Sequence, residues 1–200
     1  MRYLGQDSRF SRFIYLKLTI YYSTSDKLKA ITLKFKSKKV QKNRYEVLEY
    51  NPVTNETDLT GVSNRSLLRW WLSFSPEIPK RSDFDILDHI SLAPDIFLVQ
   101  KRNETSFEFR IHGESANRIF DDKTGKIIRT DGPSDTEQER EETRLAQYYH
   151  DLTINPVCIR NFGNIYLPDK EYLKFESLDC PLVDETSKVT HIIGTITPLK

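Results

Sequence analysis

Two apolar runs, Ile96–Lys101 and Ser106–His112, are separated by a four-residue stretch that contains Asn103 and Glu104. Runs of this length with a turn signal between them restrict the chain to an antiparallel hairpin. In the second run Phe107, Phe109 and Ile111 alternate with Glu108, Arg110 and His112. A period of two predicts the first three on a core face and the other three on a polar face. Gly113 then frees the backbone to leave the sheet.

The segment before the hairpin predicts a short helix capped by Ser63 or Asn64, with Leu67, Trp70, Trp71 and Phe74 on one side and Leu68 and Leu72 on the next. So much apolar surface must be covered. The sheet of its own domain or the same helix of a second copy would serve, so Leu67, Trp70, Trp71 and Phe74 are candidate interface residues. Pro76 and Pro79 stop the helix, and a connector carrying Asp83 and Asp85 follows. Two aspartates so close together in a loop suit turn formation better than acid–base catalysis. They are read as structural, accepting hydrogen bonds from backbone amides or from Arg110.

After Gly113 the pattern predicts a short helix over Glu114–Phe120 and a turn over 121–126. That turn is neither a phosphate loop nor a calcium loop. Phe120 and Ile127 stand where the first needs Gly and Ser or Thr, and the second lacks carboxylates at two of its ligand positions. Ser134-Asp135-Thr136-Glu137 reads as a capping box for a helix that runs to about Leu152, with Leu145, Tyr148, Tyr149 and Leu152 as its apolar stripe. Three strands, over 157–166, 171–180 and 188–198, close the chain through short connections.

Length and composition favour one domain with an appendage. Residues 1–60 carry 12 Lys and Arg against 6 Asp and Glu, and residues 61–200 carry 18 against 23. The reading is therefore a basic, β-rich N-terminal extension over 1–60 and a folded domain over 61–200, with the boundary in the turn-rich stretch 51–63. The run 27–44 holds eight basic residues and no acid, which raises nucleic acid or an anionic membrane surface as a partner. With a near-neutral sequence pI of 7.7 and no nucleic-acid motif beside the run, a solvated lysine edge is the preferred reading, and nucleic acid is not expected. No apolar run is long enough to span a membrane, and the expected compartment is cytoplasmic. Cys158 and Cys180 fall in different strands without metal-type spacing, so buried free thiols are expected rather than a disulfide scaffold. Without a nucleophile–base pair, a metal cluster or a phosphate loop in the pattern, an enzyme is not expected.

The order strand, strand, helices, strand, strand, strand resembles the PAS fold. More narrowly, 63–199 is similar to the PAS-like family of small bacterial proteins marked by a helix ending in a paired aromatic. The match rests on Leu67-Leu68-Arg69-Trp70-Trp71, Pro79-Lys80-Arg81-Ser82-Asp83-Phe84-Asp85, Phe97-Leu98, Phe109-Arg110-Ile111-His112-Gly113, Thr124-Gly125-Lys126, Tyr166-Leu167-Pro168 and 175–182. The resemblance implies an α+β domain with a five-stranded antiparallel sheet and helices on one face. It also implies a signal-sensing or regulatory module that binds a small apolar or amphipathic ligand and signals through contact with a protein partner or a second copy. The lining of such a pocket would be Phe97, Phe107, Phe109, Ile111, Tyr148, Tyr149, Ile159, Phe175, Ile192 and Ile196. The alternative is an adaptor of the same fold whose core is filled and which binds only protein. No cofactor is expected: His150 is the only histidine placed on the long helix for haem, and the cysteines lie in strands, away from the positions that flavin photochemistry uses.

Overall fold

The computed structural model describes residues 17–24, 27–34, 45–120, 122–166 and 173–199. The chain divides into two compact units at residue 42. In the first, β1 (Lys17–Thr24) and β2 (Lys27–Lys34) form an antiparallel hairpin with Lys17 opposite Lys34 and Thr24 opposite Lys27. The remainder of the basic run, 35–44, and the 167–169 connection lie outside the described residues.

The second unit is α+β, built on one curled antiparallel sheet of seven strands. They are β3 (Tyr45–Pro52), β4 (Ile96–Lys101), β5 (Ser106–His112), β6 (Ile127–Arg129), β7 (Ile159–Ile165), β8 (Leu173–Val183) and β9 (Val189–Leu199), in the order β3-β7-β8-β9-β4-β5-β6. The five-stranded PAS-like sheet is therefore corrected. The five expected strands are present, but β3 is added at one edge and β6 at the other. β3 comes from the segment assigned to the extension, so the unit starts at residue 43 rather than 61. β3 docks beside β7 because Gly163 has no side chain: a Cβ there would stand 2.0 Å from the Glu46 carbonyl oxygen.

The cover also differs from expectation, because the helices occupy both faces. Alternation along the central strands sends Phe97, Val99, Phe175, Ile192 and Ile196 to one side, where they pack with α2 (Glu114–Phe120) and α3 (Glu137–Ile154). The intervening Ile96, Leu98, Leu178, Cys180, Leu182 and Ile193 pack on the other side, against α1 (Val62–Leu72). Leu67 and Leu68 of α1 are fully buried there, each worth about 1.5–3 kcal/mol of transfer free energy. β8 is buried from Phe175 to Val183, and it carries Glu176, Ser177 and Asp179 into the interior among its apolar residues.

Local chemistry shifts two expected features. α1 starts at Val62 with Gly61 as its N-cap, so neither Ser63 nor Asn64 caps it. On α3 the capping box sits two residues later than read: the Thr136 hydroxyl accepts from the Glu139 amide at 3.2 Å, and the Glu139 carboxylate accepts from the Thr136 amide at 2.8 Å.

Candidate functional site

The ten positions expected to line a pocket fall almost entirely into packed core. Phe97, Phe107, Phe109, Tyr149, Ile159, Phe175, Ile192 and Ile196 are buried in the cluster beneath α2 and α3, and Tyr148 packs against it half-buried. Ile111 is the exception, at 36% exposure. A β-bulge explains it. Leu98 pairs with Ile111 and the next residue, Val99, with Phe109, which leaves Arg110 unpaired. One extra residue inverts the alternation beyond it. Ile111 turns outward, and His112, expected on the polar face, turns inward to 8% exposure. There its ring stands edge-on to Phe109 at 5.7 Å and its Nδ1 meets the Asn117 side-chain oxygen. Burial lowers its pKa, so it packs as a neutral imidazole.

Within this apolar cluster lies one polar group of residues that sequence reading did not single out. Asp179 of β8 faces α3 at 3% exposure. Its Oδ2 accepts from the Tyr148 hydroxyl at 3.1 Å and from the Asn161 side-chain amide at 2.6 Å. Asn161 also reaches the Ser177 hydroxyl at 3.3 Å. Burial pushes the Asp179 carboxyl up to about 7, because its two neutral donors only partly offset the loss of water. The signal that could have found it is an acid at the same strand parity as Phe175, on the side that faces the core.

The opposite face holds a second buried carboxylate from the same strand, three residues earlier. Glu176 is fully buried and accepts from the Thr60 amide at 2.9 Å, the Gly61 amide at 2.7 Å, the Asn64 side chain at 3.0 Å and Arg160 Nε at 2.7 Å. Thr60 and Gly61 lead into α1, so Glu176 supplies the negative cap that Gly61 lacks. Burial alone would raise its pKa. The Gly61 amide, Arg160, the Thr60 amide and Asn64 together outweigh burial and hold it below the usual carboxylate range.

The structural residues behave as local fasteners. The Asp83 carboxylate accepts from the Lys80 amide at 2.8 Å, and Asp85 from the Leu87 amide at 2.9 Å. Arg110 pairs instead with Glu108 at 2.7 Å. Gly113 is required by close approach: a Cβ would meet the Pro94 carbonyl at 2.6 Å. Of the candidate interface residues, Leu67 packs on the sheet of its own chain. Trp71 is half-buried and donates from Nε1 to the Pro181 carbonyl at 2.8 Å.

Trp70 and Phe74 lead outward. Trp70 meets Phe74, Phe84 and His89 edge-on at 5.4, 5.1 and 5.7 Å, and Phe84 stacks on His89 at 5.1 Å. Beside this aromatic base Ile86–Leu92 forms two 3-10 turns that meet at a kink at His89, with Leu87 before the kink and Ile90 after it, at 76% and 67% exposure. Arg69 and Lys80 are engaged by Glu56 and Glu185, and Arg81 donates to the Phe84 carbonyl. The Asp88 carboxylate, exposed beside Leu87, has no partner among the described residues.

Among the described residues no group of three or more His, Cys, Asp or Glu is placed to hold a metal ion, and no helix is long and apolar enough to cross a membrane. The groove between β6 and the start of α3, lined by residues such as Ile127, Arg129 and Glu142, encloses about 80 Å³. That is well below the roughly 300 Å³ at which sites for drug-sized ligands begin. No protein-family model matches the chain, and no curated protein matches it.

Proposed function

We propose that the chain is a contact module that docks a basic amphipathic segment of a partner protein on the surface formed by Trp70, Phe74, Leu87, His89 and Ile90. This is the adaptor reading, with a filled core, rather than the ligand-binding one. The observation that carries it is the pair Leu87 and Ile90, held out to solvent on an aromatic base that is itself fastened to the fold. Two large exposed aliphatic side chains on either side of His89, whose ring joins the supported aromatic cluster, form a surface that gains by being covered. The charge of the partner follows from the exposed Asp88 carboxylate beside Leu87 and from residues 43–200 as a whole, which hold 19 Lys and Arg against 27 Asp and Glu.

The test is a titration of the full chain against a fluorescent amphipathic peptide of Leu and Lys, with a Leu and Glu peptide of the same pattern as control. Saturable binding of the basic peptide alone, weakened at least about tenfold in Leu87→Asp/Ile90→Asp, is expected. Binding that is absent, or indifferent to that substitution, overturns the reading. A native mass spectrum separates the other occupants. An extra mass lost on denaturation would return the argument to a small ligand, and a doubled mass broken by the same double substitution would place a second copy on this surface.

A further inference from the structure

The chain contains two cysteines, and the fold sets them opposite each other. Ile159 pairs with Asp179 in the antiparallel β7–β8 ladder, so the next position along the ladder is Cys158 against Cys180. Their Sγ atoms are 2.8 Å apart, closer than unbonded sulfurs rest. Both are buried on the α1 side of the sheet, at 2% and 0% exposure. The backbone on one side is held by the Val53 amide, which donates to the Cys158 carbonyl at 2.9 Å. Directly opposed residues of antiparallel strands have Cα atoms about 4.5–5.5 Å apart, within the roughly 4.4–6.8 Å that a disulfide spans. Two cysteines in 200 residues have many ways of missing each other, and these meet at a cross-strand position.

We propose that Cys158 and Cys180 are a disulfide-forming pair, closed as the chain folds in the presence of a disulfide oxidant such as oxidised glutathione. The thiolate of one cysteine attacks a sulfur of the oxidant, breaks its S–S bond and releases one glutathione thiolate, which leaves a mixed disulfide on the protein. The second cysteine, deprotonated, attacks the protein-side sulfur and expels the second glutathione. The protein loses two protons and two electrons, and the oxidant gains them. The reaction belongs to folding rather than to the finished protein. Once the sheet is covered by α1 no oxidant reaches either sulfur, and burial holds the Cys180 thiol protonated. The inference is independent of the docking surface.

The experiment refolds the full chain from denaturant in a mixture of reduced and oxidised glutathione. The product is unfolded again in iodoacetamide without reductant, and its intact mass is measured. A monomer lighter than the reduced chain by two hydrogens, with no alkyl group added, is expected. After reductant it should accept two alkyl groups. The closed form should melt higher by about 5 °C or more, since the bond closes a loop of about 20 residues. Cys180→Ser should show no melting response to the oxidant. Two alkyl groups without reductant, a mixed disulfide that persists, a disulfide-linked dimer, or an oxidant response retained in Cys180→Ser overturns the proposal. If refolding yields no soluble protein, the chain expressed in an oxidising compartment is alkylated in the same way and read by the same masses.

Discussion

The two faces of the sheet treat the same kind of group in opposite ways. Glu176 and Asp179 are three residues apart on β8, both almost wholly buried, one beneath α1 and the other beneath α3. Glu176 receives two backbone amides, an amide side chain and a guanidinium, and burial fails to neutralise it. Asp179 receives one hydroxyl and one amide side chain, with no cation, and burial prevails. What separates them is the number and charge of the donors together with depth, because both are shielded from solvent but Asp179 lies deeper among apolar side chains. The α1 face uses its carboxylate as a fastener that must be charged, and the α3 face holds one that is most at ease when neutral.

The largest effect should come from removing the charged fastener. Glu176→Ala leaves the Arg160 guanidinium and the Thr60 and Gly61 amides without their acceptor, and breaking a buried pair on one side costs about 3–5 kcal/mol. Urea denaturation of the full chain at pH 7 measures it. A cost below about 1 kcal/mol would mean that water replaces the carboxylate, and the contrast between the faces would lose its stronger half.

Asp179→Asn should come next, with the opposite sign in its pH dependence. The carboxyl is raised from about 3.8 to about 7 on folding, so between those values the folded chain holds a proton that the unfolded chain has released. Its contribution is fully present below about pH 4 and is lost as pH rises through 7, at about 1.4 kcal/mol per unit. Asn cannot titrate, so the variant should gain about 2–4 kcal/mol on wild type between pH 4 and pH 8. The comparison must be a difference between the two chains. Burial, followed by the charges of Arg81 and Arg110, lowers His191 to about 4, and its neutral form adds an opposing slope in the same window. That slope cancels when variant is subtracted from wild type. A difference that does not change with pH would show Asp179 ionised throughout.

Asn64→Ala tests whether the α1 network is cooperative. Its side chain donates to Glu176 twice, at the carboxylate and at the backbone carbonyl, and accepts from the Thr195 hydroxyl at 2.8 Å. Its loss should cost about 1–3 kcal/mol. In the Glu176→Ala background the same substitution should cost less, because one of its partners has already gone. Full additivity would make the network a set of independent bonds.

Much of the framework was legible because it rests on local pattern. The β4–β5 hairpin announces itself through alternation up to Phe109, and α3 through its stripe of Leu145, Tyr148, Tyr149 and Leu152. What escaped rests on distant partners or on too few residues. β6 has three residues, too few for a period of two to register. β3 is exposed from Glu46 to Pro52, so it has no buried face to pattern, and its place is set by the ladder to β7. The bulge at Arg110 inverted Ile111 and His112 without any Gly to mark it. The N-terminal support of α1 escaped because its acceptor lies more than a hundred residues away on β8. The two carboxylates were visible as letters, yet their roles depend on donors from β7, α1 and α3 that only the folded chain brings together.

The smallest effect should be the most diagnostic of the α3 face. Tyr148→Phe removes one of the two donors to Asp179 and one acceptor for Asn161, at a cost of about 1 kcal/mol. Because the hydroxyl favours the ionised carboxyl, its loss should push the Asp179 titration further up. A carbon-detected titration of the Asp179 carboxyl reads the shift directly, and with Asn161 as the only remaining donor the midpoint should pass above that of wild type. A lower midpoint would mean that removing the hydroxyl admits water to the carboxylate, in which case tight packing of Tyr148, more than the hydrogen bond it makes, is what keeps this face neutral.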